Sequence, residues 1–222
     1  MARIQDFQDW FTSHYCNRDQ FELDAHTFQD VQDATAGWAA NGVMYLLNNA
    51  LSFMDEGEQY LEIGTYGGRS LVGALRNNDK RAQVIDPFLN TAPTVRPAWE
   101  KAIDDFGVRD RVTLHETLAE NFDFDLPPIG VFFYDGNHDA GHTYEGLKRF
   151  EKYLSDEAII IVDDIMIPGG PDQMPFEGYH PNSLPVKIDV TRWLLESNGQ
   201  ASTLVVTPWT FQQAVICYER KR

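Results

Sequence analysis

Apolar and polar positions follow two rhythms along this chain, and one gives way to the other near residue 59. Before that point apolar residues recur at helical spacing, most plainly in "NGVMYLLNNALSFM", where Val43, Tyr45, Leu46, Ala50 and Leu51 share one face. This part reads as helices laid against the remainder of the chain. From Gln59 onward short β-rich runs take over: "QYLEIG", "AQVIDP", "RVTLHE", "GVFFYDG", "AIIIVDD", "TLVVTP" and "QQAVICYE". Helical stretches separate most of them. "SLVGALR" follows the first run, and "PAWEKAIDDFG" follows the second and closes on Gly107 as a capping glycine. "TYEGLKRFEKYL" follows the fourth with Tyr144, Leu147, Phe150 and Leu154 on one stripe, and "VKIDVTRWLLESNG" precedes the sixth and also closes on glycine.

Runs that are apolar on both faces, such as "AIIIV", need cover on both sides, and intervening helices supply it, so the pattern predicts an α/β fold with a doubly wound parallel sheet. The ending departs from that rule. "PWT", from Pro208 to Thr210, is too short for a helical crossover, so the last two strands should form an antiparallel hairpin. No linker or repeat divides the 222 residues, and the expectation is one domain with a helical cover over 1–58 and a core over 59–222. Five prolines and three glycines crowd between Pro168 and Pro185, which marks residues 165–185 as a lid loop carrying Phe176, Tyr179 and His180.

Charge narrows the choice of partners. Acidic residues outnumber basic ones by 34 to 18, a net charge of -16, and the only basic cluster is the "ERKR" tail. Attraction to nucleic acid or to an anionic membrane is not expected from such a surface. The first residues lack the apolar core of a secretory signal and no run reaches the length of a membrane span, so a cytoplasmic protein is expected. Cys16 and Cys217 lie far apart without Cys-x-x-Cys spacing, which predicts packed thiols and neither a disulfide framework nor a zinc site. The aromatic-rich N-terminal helices suit either a homodimer contact or a cover for the cofactor.

In an open parallel sheet, ligands collect beyond the carboxyl ends of the strands. The first strand ends in "LEIGTYGGRSL", with Glu62 in the strand and Gly64, Gly67 and Gly68 in a turn that opens a helix, and Ser70 adding a hydroxyl. Glycines there let a ligand approach the backbone, and the helix start offers N–H groups. A phosphate-binding loop fits less well, because the spacing is not G-x-G-x-x-G and no P-loop lysine follows. Asp86 ends the second strand 22 positions after Gly64, where a carboxylate suits the two hydroxyls of a ribose; a turn cap before Pro87 is the plainer use. Asp135 ends the fourth strand and Asp163 and Asp164 the fifth. Three clustered carboxylates repel one another unless protons or a cation intervene, which suggests a hard divalent ion such as Mg²⁺.

With these residues in place the chain resembles the class I S-adenosylmethionine-dependent methyltransferases, and within them the metal-dependent branch that includes catechol O-methyltransferase and the macrolide-sugar O-methyltransferases. "EIGTYGGRS", "VIDPF", "YDGNH" and "IIIVDDI" carry the resemblance, which spans roughly Asn41 to the end. It implies a Rossmann-like seven-stranded sheet of order 3-2-1-4-5-7-6 with the last strand antiparallel. It implies further that Glu62, Gly64, Thr65, Tyr66, Gly68 and Ser70 surround the methionine half of the cofactor, and that Asp86 takes the ribose. Glu116 and Thr117 would lie by the adenine, with Asp135 bordering the cofactor as well as the metal held by Asp135, Asp163 and Asp164. Asp164 stands where the catechol enzymes have asparagine, a difference that makes the metal site more negative and weakens the case for a catechol acceptor.

The resemblance places the general base three residues after the first metal-binding aspartate, at His138, with His142 the alternative because "HTYEG" also matches relatives. His138 stays on the strand-end turn close to Asp135, whereas His142 falls at the start of the next helix, where an imidazolium is disfavoured. The expected activity is O-methylation of a small sugar, polyol or phenol. The rival readings are a non-catalytic cofactor-binding protein of the same fold and a nucleotide-dependent oxidoreductase.

Overall fold

The computed structural model describes residues 2–15, 18–89, 91–165, 183–206 and 213–221. Four helices precede the first strand: α1 (Ala2–Tyr15), α2 (Arg18–Ala25), α3 (Gln29–Ala34) and α4 (Asn41–Ser52). The strands are β1 (Gln59–Ile63), β2 (Ala82–Ile85), β3 (Val112–His115), β4 (Ile129–Tyr134), β5 (Leu154–Val162), β6 (Gly199–Val206) and β7 (Ala214–Arg220). Between them run α5 (Arg69–Leu75), α6 (Val95–Asp105), α7 (His142–Phe150) and α8 (Ser183–Glu196). One seven-stranded sheet results, in the order β3-β2-β1-β4-β5-β7-β6. β3, β2, β1, β4 and β5 are paired in parallel, and β7 runs antiparallel to both β5 and β6. The expected order and closing hairpin are both present, although the "PWT" connection itself lies outside the described residues, as do Cys16 and nearly all of the expected lid.

The double cover follows from the period-two geometry of strands. In β4, Val131 and Phe133 enter one core with α1, α4 and α5, while Phe132 and Tyr134 enter a second core with α7 and α8. Ile159 and Ile161 of β5 share the first core, and Ile160 and Val162 the second. Every one of these side chains is at most 2% exposed.

Two expectations need correcting. The stripe read as one helix from Thr143 to Leu154 breaks: α7 ends at Phe150, a 3₁₀ turn covers Glu151–Tyr153, and Leu154 already opens β5, opposite Ile129. Gly199 does not cap a helix. It starts β6 beneath the Tyr218 ring, where a Cβ would lie 1.9 Å from a ring carbon. α4 is more deeply buried than its predicted face, since Met44 and Leu47 are also fully enclosed. No helix among the described residues is long and apolar enough to cross a membrane.

Candidate functional site

Backbone hydrogen bonds just past the strand ends hold the exit loops in register. The Gly64 N–H donates to the Ile85 carbonyl (3.0 Å), the Asp135 N–H to the Ile63 carbonyl (2.8 Å) and the Asp163 N–H to the Tyr134 carbonyl (2.9 Å). Residues remote in sequence thereby meet along one rim. Contact between the first and fourth strand exits is close enough to dictate a residue type: Gly64 has φ +84°, and a Cβ there would sit 1.9 Å from the Asp135 carbonyl oxygen. Tyr66, Phe88 and Asp164, just beyond the tips of β1, β2 and β5, also have positive φ (48°, 49° and 59°). Such backbone is costly for residues with a Cβ and tends to collect at functional sites.

A cavity of about 650 Å³ opens at this rim. Gly64, Thr65, Tyr66, Ser70, Asp86, Asp135, His138, His142, Asp163 and Asp164 all line it. Four expected residues do not. Glu62 lies behind the turn, fully buried, accepting hydrogen bonds from the Tyr60 hydroxyl (2.6 Å) and the Ser70 hydroxyl (2.9 Å). Burial drives its pKa up to about 7, against the opposing effect of hydrogen bonds from Tyr60, Thr65 and Ser70. Gly68 faces Trp99, and its φ of +86° shapes the start of α5. Glu116 turns outward to pair with Arg96 (3.1 Å), and Thr117 is half-buried outside the cavity. Leu118, Ala119 and Glu120 line the wall instead, one step further along the loop after β3.

Asp86, 8% exposed, accepts the Thr65 and Tyr66 N–H groups on one oxygen (2.9 Å each) and the Phe88 N–H on the other (2.7 Å). It therefore pins the glycine turn to the tip of β2. A carboxylate has about four acceptor sites, so three amides leave about one for a ligand hydroxyl from the cavity that Asp86 lines.

The acidic end is arranged differently from the sequence expectation. His138, whose side chain is 11% exposed, lies between two carboxylates: Nδ1 is 2.9 Å from Asp164 Oδ2, and Nε2 is 3.5 Å from Asp135 Oδ1. Ligand atoms of Asp135, His138 and Asp164 fall within 4.8 Å of one another. Asp163 takes another partner, its Oδ1 accepting the Asp164 N–H (2.8 Å) and the Gln213 amide (2.5 Å). Asp164, in left-handed backbone (φ +59°), thus reaches His138 while Asp163 reaches Gln213. Burial works against the charged imidazolium, but the two carboxylates overcome it and raise the His138 pKa to about 10. Burial, with the neighbouring acids, raises Asp135 and holds Asp163 well above the usual carboxylate range. His142 begins α7 and faces the same cavity from an exposed position, outside the cluster.

Sequence reasoning missed several wall residues. Trp38, 87% exposed, packs against Tyr66 with ring centroids 5.8 Å apart, and both line the cavity. Arg69 anchors the segment that carries Trp38, donating to the Gln32 (3.1 Å) and Thr35 (2.7 Å) carbonyls. The signal was faint: one tryptophan before a helix, without periodicity. Gln213 was legible only as a polar residue leading into an apolar strand.

Residues 61–165 match a family model described as "Methyltransferase domain". No curated protein matches the sequence significantly. Among solved structures, the Podospora anserina methyltransferase PaMTH1, bound to SAH, is similar over 100% of this chain and 89% of its own, with 18% identity and TM-score 0.62. The O-methyltransferase TomG from Streptomyces achromogenes, involved in tomaymycin synthesis and solved with SAM, is similar over 88% of this chain and 86% of its own, with 21% identity and TM-score 0.59. An O-methyltransferase from Bacillus cereus in complex with SAH covers 98% of this chain and 100% of its own, with 14% identity and TM-score 0.56. Residues 61–165 thus resemble a methyltransferase domain, and the chain has the fold seen in these methyltransferases solved with SAM or SAH.

Proposed function

We propose that this protein transfers a methyl group from S-adenosylmethionine to a hydroxyl of a small molecule, a sugar, polyol or phenol, with the help of a divalent cation. One observation carries the reading: a single cavity joins the glycine turn and Asp86 at one end to the Asp135–His138–Asp164 cluster at the other. That arrangement gives donor and acceptor adjoining places, and alignment of two bound reactants is the largest advantage such a site offers.

S-adenosylmethionine brings the activated methyl group on its sulfonium, so the chain's task is to bind, orient and move a proton. The cavity wall formed by Gly64, Thr65 and Tyr66 on one side and Leu118 and Ala119 on the other suits an adenosine with its amino-acid tail. The donor set fits a divalent ion: two carboxylates and an imidazole satisfy Mn²⁺ or Fe²⁺ as readily as Mg²⁺. Asp135, His138 and Asp164 would hold it, with Asp163 turning inward if its bond to Gln213 gives way. A cation held there makes an acceptor hydroxyl more acidic. With the ion on the carboxylates alone, His138 would take the proton after giving up the one its neighbours hold on it; where His138 itself holds the ion, that role passes to His142 on the cavity wall.

Calorimetry tests this in two stages. S-adenosylhomocysteine should bind and NAD should not; preferential NAD binding would replace the proposal with a nucleotide-dependent oxidoreductase. Turnover of catechol, polyol and sugar panels should then require Mg²⁺ or Mn²⁺ and stop with EDTA. Cofactor binding with no transfer to any acceptor would indicate the non-catalytic rival, and EDTA-resistant turnover would remove the metal.

A further inference from the structure

The loop that carries His138 leads into a helix with no side-chain cap at its N-cap residue, although the Asp139 carbonyl accepts the His142 N–H (3.1 Å). Gly141, the residue before α7, is left-handed (φ 88°) and offers no side chain to the first turn. A helix start leaves several N–H groups without intrahelical partners, and buried ones must find acceptors elsewhere. Here the acceptor comes from a different element. Asp189 of α8, 6% exposed, takes the Gly141 N–H (2.8 Å) and the Tyr144 N–H (3.3 Å) on the same oxygen, Oδ2. It is 48 residues from Gly141 in sequence. The rest of the loop is tied from below: the Tyr134 hydroxyl donates to the Asn137 carbonyl (3.1 Å), and the Asn137 side chain accepts the Asp139 N–H (2.9 Å).

We propose that Asp189 is a positioning residue: by supplying from α8 the cap that α7 lacks, it fixes the loop that holds His138 between Asp135 and Asp164. An aspartate already suits a helix N-terminus, because its charge opposes the helix dipole. What sets this one apart is its location. A cap within the loop would stabilise α7 alone, whereas this cap ties the loop to α8, which packs against α7 in the second core. Asp189 is not among the residues that line the cavity. The inference rests on the methyltransferase reading only for the importance of His138; the restraint is a matter of geometry.

The test needs no acceptor. Full-length protein labelled at histidine nitrogens, with His138 assigned through His138→Gln, reports the ring directly by NMR, while hydrogen exchange reports the Gly141 and Tyr144 amides. Asp189→Ala should raise exchange at both amides at least tenfold and shift or broaden the His138 ring signals. Asp189→Asn, which keeps an acceptor oxygen, should restore both to near wild type. Affinity for S-adenosylhomocysteine should change less than threefold in either variant, since that end is built on β1 and β2. An unmoved His138 signal in a folded Asp189→Ala protein would overturn the proposal. If the alanine variant does not fold, the asparagine variant decides: a displaced His138 ring there, despite the retained oxygen, also overturns it. Failure of the wild type to bind S-adenosylhomocysteine would instead count against the proposed function, and leaves the exchange and ring measurements to judge Asp189.

Discussion

Glu62 is a carboxyl with no exposure to water, kept in place by hydroxyls of Tyr60, Thr65 and Ser70. Thr65 and Ser70 line the cavity, so Glu62 shapes the site from behind without facing a ligand. Its folded pKa, about 7 against an ordinary 4.5, has a definite sign for stability. The folded state binds this proton more tightly than the unfolded state, so its contribution is complete below about pH 4.5 and is lost as pH rises through about 7. At about 1.4 kcal/mol per unit this is on the order of 3 kcal/mol. Urea denaturation of Glu62→Gln should therefore show a flatter profile than wild type between pH 4.5 and 7; parallel profiles would mean that Glu62 titrates normally. Gly64 makes a steeper prediction. Alanine there must shift the Asp135 backbone as well as adopt positive φ, so Gly64→Ala should cost about 1–3 kcal/mol and weaken S-adenosylhomocysteine binding at least tenfold. His138 carries a proton to about pH 10 while Asp135 and Asp164 flank it, and a metal ligand must be deprotonated. Mn²⁺ titrations at neutral pH should accordingly release a proton, seen as a heat that varies with the ionisation enthalpy of the buffer. A buffer-independent heat would place the ion elsewhere or show His138 already neutral.

At the scale of elements, contact between β4 and α7 sets how the acidic end is built. Gly146 lies against the Tyr134 ring, and a Cβ there would come within 2.4 Å of it. The ring is 2% exposed and its hydroxyl holds the His138 loop, so moving it aside would give up that bond. Gly146→Ala should lower thermal stability by about 1–3 kcal/mol, despite alanine's better helix propensity. A rise in melting temperature would mean that propensity outweighs the close packing. The same region explains where helical periodicity misled: Leu154 fits the stripe of α7, yet pairing with Ile129 draws it into β5. Spacing along the chain cannot register such competition, because the deciding partner, Ile129, lies 25 residues earlier. β4 and β5 were plainer by comparison, since runs apolar on both faces need cover on both sides.

For the whole molecule, a net charge of -16 means that the folded state compresses mutually repelling carboxylates. Raising salt from about 10 mM to about 150 mM shortens the screening length from about 30 Å to about 8 Å, so the melting temperature should rise over that interval; a fall would show that attractive pairs such as Arg96 with Glu116 outweigh the repulsion. The strand order and the antiparallel end were legible because crossover length and strand burial constrain topology strongly, and the resemblance in motifs supplied the rest. From the sequence itself came the doubly wound sheet, the position of the glycine turn and the gathering of acids at strand ends, all consequences of local periodicity and of where parallel strands must terminate. Only tertiary structure decided which oxygens face one another: that Asp86, expected at a ribose, also accepts amides of the glycine turn, that Asp163 pairs with Gln213, and that His138 stands between Asp135 and Asp164. The reason is one of scale. Side-chain direction at a strand exit depends on backbone angles such as φ +59° at Asp164 and on partners from β7 and α8, and neither is encoded in the spacing of the residues that meet.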